Sequence, residues 1–217
     1  MTASEPGLLV LHAVRLLGFA PTAAVARRYD LDEGDTGELL EDHHATGWVT
    51  WSSFADSAGW SLTERGRAED ERRLAAELEA HPRGGVRPLV HRTYLDFLDL
   101  NARVLQAVTD WQTRPVAGDP FAVNDHQDLR WDTRVLRRLE DVGGELAPLA
   151  ATLAGVLDRF GDYSGRYERA LAQARAGDRL WVDGLGTDSC HTVWFQLHED
   201  LLATLGIARG HEPRSHD

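Results

Sequence analysis

Two carboxylates, two imidazoles, an amide and an indole occupy interior helical positions in the second half of this chain. Asn101 lies on the apolar seam between Phe97 and Val104, where a buried amide needs partners. Asp125 and Asp132 fall on the stripe of Leu129, Leu136 and Leu139, one turn to either side of Leu129. In the last apolar stretch Cys190, Val193, Leu197 and Leu201 form one seam, and His191, Trp194, His198 and Leu205 form the seam beside it. Ser189, Thr192, Gln196, Glu199 and Asp200 are left for the solvated side. A carboxylate beside an imidazole fixes its tautomer and moves its pKa, so such a set can hold a small molecule and exchange protons with it. The candidate ligand-binding residues are Asn101, Trp111, Asp125, His126, Asp132, Cys190, His191, Trp194 and His198. In an enzyme, Asp132 with His191 or His198 would supply base and acid for elimination, cyclisation or hydrolysis. The plainer alternative is a satisfied network, with His191 bonded to Asp188, both aspartates paired with Arg and Asn101 bridging backbone. That alternative is the stronger for any one residue; their joint occurrence favours a pocket, because unpaired interior charge is expensive.

Other chemistries find less support. His191 and His198 are seven residues apart, about 10 Å along a helix, whereas two ligands of one ion need three- or four-residue spacing. His91, His126 and Cys190 could help only if the fold brought them in, so no metal is expected. The adjacent His43 and His44 point about 100° apart and read as surface or packing residues. Cys190 near a helix N-terminus could be a nucleophile or redox sensor, though a small buried hydrophobe is the commoner role. With no phosphate loop, GxGxxG or GxSxG, no cofactor is expected.

These residues need elements to position them. The spacing predicts helices over 87–111, 125–142, 147–160 and 164–176, then a final one in DSCHTVWFQLHEDLLATL capped by Thr187 or Asp188 and ended by Gly206. Asn124 and Gln127 have capping-box spacing, and Gly143 with Gly144 breaks the second helix from the third. The first helix carries apolar residues on two seams, with Leu95, Leu98, Ala102 and Leu105 on the second, which predicts a central place in a bundle.

The N-terminal part reads differently. Leu8 to Leu17 is a helix stopped by Gly18; Thr22 caps a second, and Asp32 a third whose Leu39 and Leu40 face inward before Gly47. Trp48 to Trp51 and Trp60 to Leu62 are strands around a polar tip, Ser52 to Gly59, that includes Asp56. A long helix follows Thr63. The proline- and glycine-rich HPRGGVRP at 81–88 marks a linker between domains at 1–80 and 89–209, with a disordered polar tail at 210–217. The order helix, helix, helix, hairpin, long helix, closed by GWSLTERGR, resembles the winged-helix domain of MarR-like transcriptional regulators over residues 7–80. The resemblance implies a mainly α fold: an N-terminal winged helix-turn-helix with a small β-wing, then a C-terminal helical bundle.

It also implies DNA contact through the third helix and the wing, with Arg27, Arg28, Arg65 and Arg67 as candidates. The charges argue against this. Asp30 to Thr46 holds seven carboxylates and no Arg, and the whole chain carries a net charge of −12 with all 23 cationic side chains Arg. Neither nucleic acid nor anionic membrane is generally attracted. One cysteine excludes an intrachain disulfide and suits a cytoplasmic setting. The apolar run from Leu8 to Ala20, broken by His12 and Arg15, lacks a basic leader, and no segment is long enough to span a bilayer. The expectation is a regulator-type winged-helix protein whose bundle binds a small molecule, compatible with a homodimer, with DNA contact weakly supported. The alternative is an enzyme of small-molecule metabolism with Asp/His acid–base chemistry and a structural winged helix.

Overall fold

The computed structural model describes residues 2–55 and 57–208; Asp56 of the expected wing tip and the expected tail at 210–217 lie outside them. The described chain is mainly helical with one small antiparallel sheet. It forms two compact units. The first takes in 2–90, Val156–Arg159 and 199–208, and the second His91–Gly155 and Phe160–His198.

In the first unit α1 (Pro6–Leu17) starts with proline in its first turn, and the Glu5 carboxylate accepts the N–H groups of Gly7 and Leu8. Gly18, at φ 73, ends it. A short strand β1 (Phe19–Ala20), absent from the sequence reading, leads to α2 (Thr22–Arg28). Pro21 occupies the N-cap of α2; Thr22 is inside the helix, and its hydroxyl accepts from the Trp60 indole at 3.0 Å. Asp32 caps α3 (Glu33–Ala45) as expected, with Leu40 buried and Leu39 half-buried. His43 is buried against Trp48 with Nε2 bonded to Gly7 O at 2.8 Å, whereas His44 is exposed.

The hairpin strands β2 (Val49–Phe54) and β3 (Ser57–Leu62) run further than their composition suggests, because register pairs Ser52 with Gly59 and Phe54 with Ser57. Most of the expected tip is therefore ladder. Strand order is β1-β3-β2, and Gly59 admits β1: a Cβ there would stand 2.8 Å from the Ala20 carbonyl. Thr63 caps α4 (Glu64–Glu79) by accepting from Gly66 N. Val10, Leu11, Val14, Val25, Leu40, Val49 and Trp60 fill the core, and Leu8, Leu74 and Ala203 make a second cluster. Thr2 bridges Leu157, and the buried His81 bonds to Val156 O at 3.1 Å.

The second unit is helical. α5 (Arg87–Gln112) buries the seam of Tyr94, Phe97, Val104, Val108 and Trp111, with Leu98, Leu100 and Ala107 flanking it. Of the second expected seam Leu98 is buried, but Leu95, Ala102 and Leu105 are exposed, so only part of it faces inward. α6 (Leu129–Ala154) runs unbroken through Gly143, Gly144 and Pro148. Its buried residues Val135, Leu139, Val142, Leu146, Ala150 and Leu153 keep one helical phase across the expected break, and Gly143 is where the Tyr167 ring approaches, 3.1 Å from a would-be Cβ. Tertiary packing outweighs the weak glycine propensity. α6 is capped by Asp128, not by an Asn124–Gln127 box. Then come α7 (Tyr163–Arg175), the short helix α8 (Leu180–Asp183) and α9 (Cys190–Leu205). At the start of α9 the Ser189 hydroxyl accepts from Thr192 N, the role expected of Thr187 or Asp188. No helix among the described residues is long and apolar enough to cross a membrane.

Candidate functional site

The strongest constellation sits where the chain turns from α5 into α6. After α5 the backbone folds back through the antiparallel bridge Thr113↔Val123, with Arg114 N bonded to Ala122 O and Asn124 N to Gln112 O. This return brings Asn124 beneath the end of α5. Its buried amide donates to Trp111 O at 2.9 Å and to Asp132 Oδ1 at 3.0 Å, and its own carbonyl accepts from His126 N at 3.1 Å. His126 consequently sits at φ 57, a left-handed conformation unusual for a residue with a Cβ. Its Nδ1 lies 3.0 Å from Asp132 Oδ2, and its ring packs 4.6 Å from that of the buried Trp111.

The Asp132 pairing assigns the tautomer. An ionised Asp132 accepts from Asn124 and from His126 at 3.0 Å each, closer than the 3.2 Å between Asn124 Nδ2 and His126 Nδ1, which assigns the proton to Nδ1 and leaves Nε2 as the open nitrogen. Nε2 has no protein partner among the described residues. Arg179 holds the peptide by donating to His126 O at 3.3 Å. Several large apolar side chains next in sequence to these polar groups are exposed: Val123, 85% exposed, precedes Asn124; Leu129, 72% exposed, opens α6; Leu180, 66% exposed, follows Arg179. Phe121, on the same return, is 79% exposed.

The remaining candidates do not converge there. Asn101 Oδ1 accepts from the Trp194 indole at 2.9 Å, and Trp194 stacks on Phe97 at 4.7 Å. Tyr167 meets Trp194 edge-on at 6.0 Å, and His198 lies against Phe97 and Tyr94 at 5.3 and 6.3 Å. This group is a packed aromatic core whose polar atoms are tied to their neighbours, the Trp194 indole to Asn101 and the Tyr167 hydroxyl to Leu139 O at 3.1 Å. Cys190 is buried beside it, and burial pushes its thiol up to about 12, which removes the nucleophile and redox readings at neutral pH. His191 is half-buried; Asp188, the partner expected for it, is gripped by Arg166. Asp125 precedes α6 and is exposed, 3.9 Å from Arg114, so it is not on the buried stripe, and neither is the exposed Leu129.

Comparison with protein-family models, curated proteins and solved structures finds no match. The DNA-contact candidates are placed unequally. Arg27 and Arg65 are exposed, but Arg28 is buried with its guanidinium 4.4 Å over the Tyr29 ring, and Arg67 lies 3.3 Å from Glu199. Glu33, Asp35, Glu38, Glu41 and Asp42 of α3 are all exposed. Among the described residues no group of three or more His, Cys, Asp or Glu is arranged to hold a metal ion.

One cluster escaped the sequence reading. In the first unit His12 is fully buried between two carboxylates, Nδ1 3.2 Å from Asp70 and Nε2 3.1 Å from Asp200. Burial opposes its charge, but the two carboxylates outweigh it and push the imidazole up to about 9, so it is a cation at neutral pH. Arg15 joins Asp70 at 3.2 Å, Glu71 at 2.9 Å and Glu199 at 2.9 Å; Arg159 joins Asp200, Glu77 and Thr204. Burial works against the Asp200 carboxylate as well, yet His12 and Arg159 hold it well below the usual range. Glu199 and Asp200, assigned to a solvated face, are therefore buried, as are Ser189 and Gln196. The available signal was the interruption of the apolar run by His12 and Arg15, one turn apart. With both Nδ1 and Nε2 engaged, His12 is a structural cation and not a free base.

Proposed function

We propose that the chain is a winged-helix protein of regulator type whose second unit binds a small apolar molecule carrying a weakly acidic proton, at Trp111, Asn124, His126 and Asp132. One observation carries this: a half-buried imidazole paired through Nδ1 with a buried carboxylate, on a stretch of chain whose Phe121, Val123 and Leu129 are exposed apolar side chains. Exposed apolar side chains gathered around a few fixed polar groups mark binding surfaces. The element order α1-β1-α2-α3-β2-β3-α4 supports the winged-helix reading. The acidic exposed face of α3 favours partner contact or dimerisation over DNA reading.

The test uses 4-nitrophenol, which combines an apolar ring with an acidic hydroxyl. We expect saturable binding, a spectral shift towards the phenolate, and a perturbed His126 ring resonance. His126→Asn keeps a residue that tolerates positive φ while removing Nε2, and is expected to weaken binding about tenfold, the cost of one well-placed hydrogen bond. Equal binding by this variant would sink the proposal. In parallel, a labelled mixed-sequence duplex at low salt should show no salt-dependent rise in anisotropy.

A second reading, general-base catalysis, is favoured by the fixed Nδ1–H tautomer alone. It requires that His126→Asn slow the hydrolysis of 4-nitrophenyl acetate; identical rates remove it.

A further inference from the structure

Away from His126, the second unit holds a cleft of about 220 Å³ lined by Arg166, Arg169, Ala172 and Gln173 of α7, Trp181 of α8, and Asp188. The Arg166 side chain is only 5% exposed. Its Nε and Nη2 donate to Asp188 at 2.9 and 2.7 Å, and Nη2 also donates to Gln196 Oε1 at 2.6 Å. Nη1 is buried and has no hydrogen-bond partner among the described residues. A buried guanidinium nitrogen without an acceptor is rare in folded proteins and calls for an explanation. Arg169 is exposed and reaches Asp162 at 3.4 Å. The two guanidinium groups of the lining are met by Asp188 and by Asp162, which lies 3.7 Å from Arg166 Nε and 3.4 Å from Arg169, so what the cleft offers a ligand is the unpartnered Nη1 donor and not a net positive charge. Trp181 completes it, with its indole nitrogen tied to Asp178 at 3.0 Å, so the ring orientation is fixed.

We propose that this cleft binds a small planar carboxylate, one oxygen accepting from Arg166 Nη1, the other from Arg169, with the ring lying against Trp181. Paired guanidinium donors suit a carboxylate, and a fixed indole suits a flat ring. Because Nη1 is buried, binding requires a lining side chain to move aside, and Arg169 and Gln173, both long and exposed, are the ones free to rotate. Asp188 occupies Arg166 Nε and Nη2, and Nη1 is left to the ligand. The site shares no residue with the His126 cluster, so each can fail without the other.

The experiment titrates the full ¹⁵N-labelled chain with benzoate and with its neutral analogue benzamide, following the Trp181 indole N–H resonance. Benzoate is expected to shift that resonance saturably, and benzamide to bind about tenfold more weakly, as loss of a charge-assisted bond requires. Replacing the buried Arg166 could unfold the unit, so the variant is Arg169→Gln, at an exposed position, expected to weaken benzoate about fivefold and leave benzamide unchanged. An unmoved Trp181 resonance at tens of millimolar benzoate, equal affinity for benzamide, or unaltered benzoate binding by the variant would each overturn the proposal.

Discussion

His12 shows how far a single buried side chain can depart from its ordinary behaviour. Its imidazole is raised from 6.5 to about 9, so protonation favours the folded chain. That contribution is fully present below pH 6.5, falls across the interval to pH 9, and is absent above it. A shift of this size corresponds to about 3 kcal/mol. Urea unfolding between pH 6 and 10 should therefore show a midpoint that declines with alkalinity. His12→Gln should be less stable at pH 6 and lose much of the slope; an unchanged slope would mean that another group sets it. The residue type was legible in the sequence as a break in an apolar run. Its partners were not, because Asp70 and Asp200 lie far along the chain and nothing local marks them as buried. The same limit applies to His126: its pairing with Asp132 depends on a backbone return that brings Asn124 under Trp111, and no spacing rule foretells that return.

Among the elements, the link from hairpin to α4 rests on Gly66. A Cβ at this position would fall 1.9 Å from the Trp48 carbonyl oxygen, and that oxygen cannot retreat because Thr63 N and Oγ1 hold it at 2.9 and 3.0 Å. Gly66→Ala should cost about 3 kcal/mol, the upper end for forced overpacking, read as a lowered denaturation midpoint. Gly144→Ala, in open space on α6, should be neutral or stabilising and serves as the control. The helix starts at Asp32 and Thr63 and the stops at Gly18 and Gly206 were legible because capping is a local matter of side chain and backbone. β1 was not, since two residues make a strand only when a partner such as β3 accepts them. α6 was misread for the converse reason: paired glycines signal a break locally, while the apolar phase on either side, fixed by packing, carries the helix through. On α9 the polar residues follow helical phase correctly, but the buried side was taken for the solvated one because interior charge was assumed to be absent.

For the molecule as a whole, the first unit is not contiguous in sequence. Its residues 2–90 contribute His12, Arg15, Asp70 and Glu77 to the charge cluster, while Arg159, Glu199 and Asp200 arrive from later segments. A truncated chain of residues 1–90 leaves His12 without one carboxylate and Glu77 without Arg159, and stranded buried charge costs about 3–5 kcal/mol. Such a fragment should lack a cooperative thermal transition by circular dichroism; a sharp one would show that the apolar core of α1 to α4 is sufficient. The same discontinuity sets a clock on synthesis. At about 5–20 residues per second, His12 waits roughly 10–40 s for Asp200 to be made. During that interval α1 carries a half-matched charge on its apolar face, so a helix made long before Asp200 is among the last to settle.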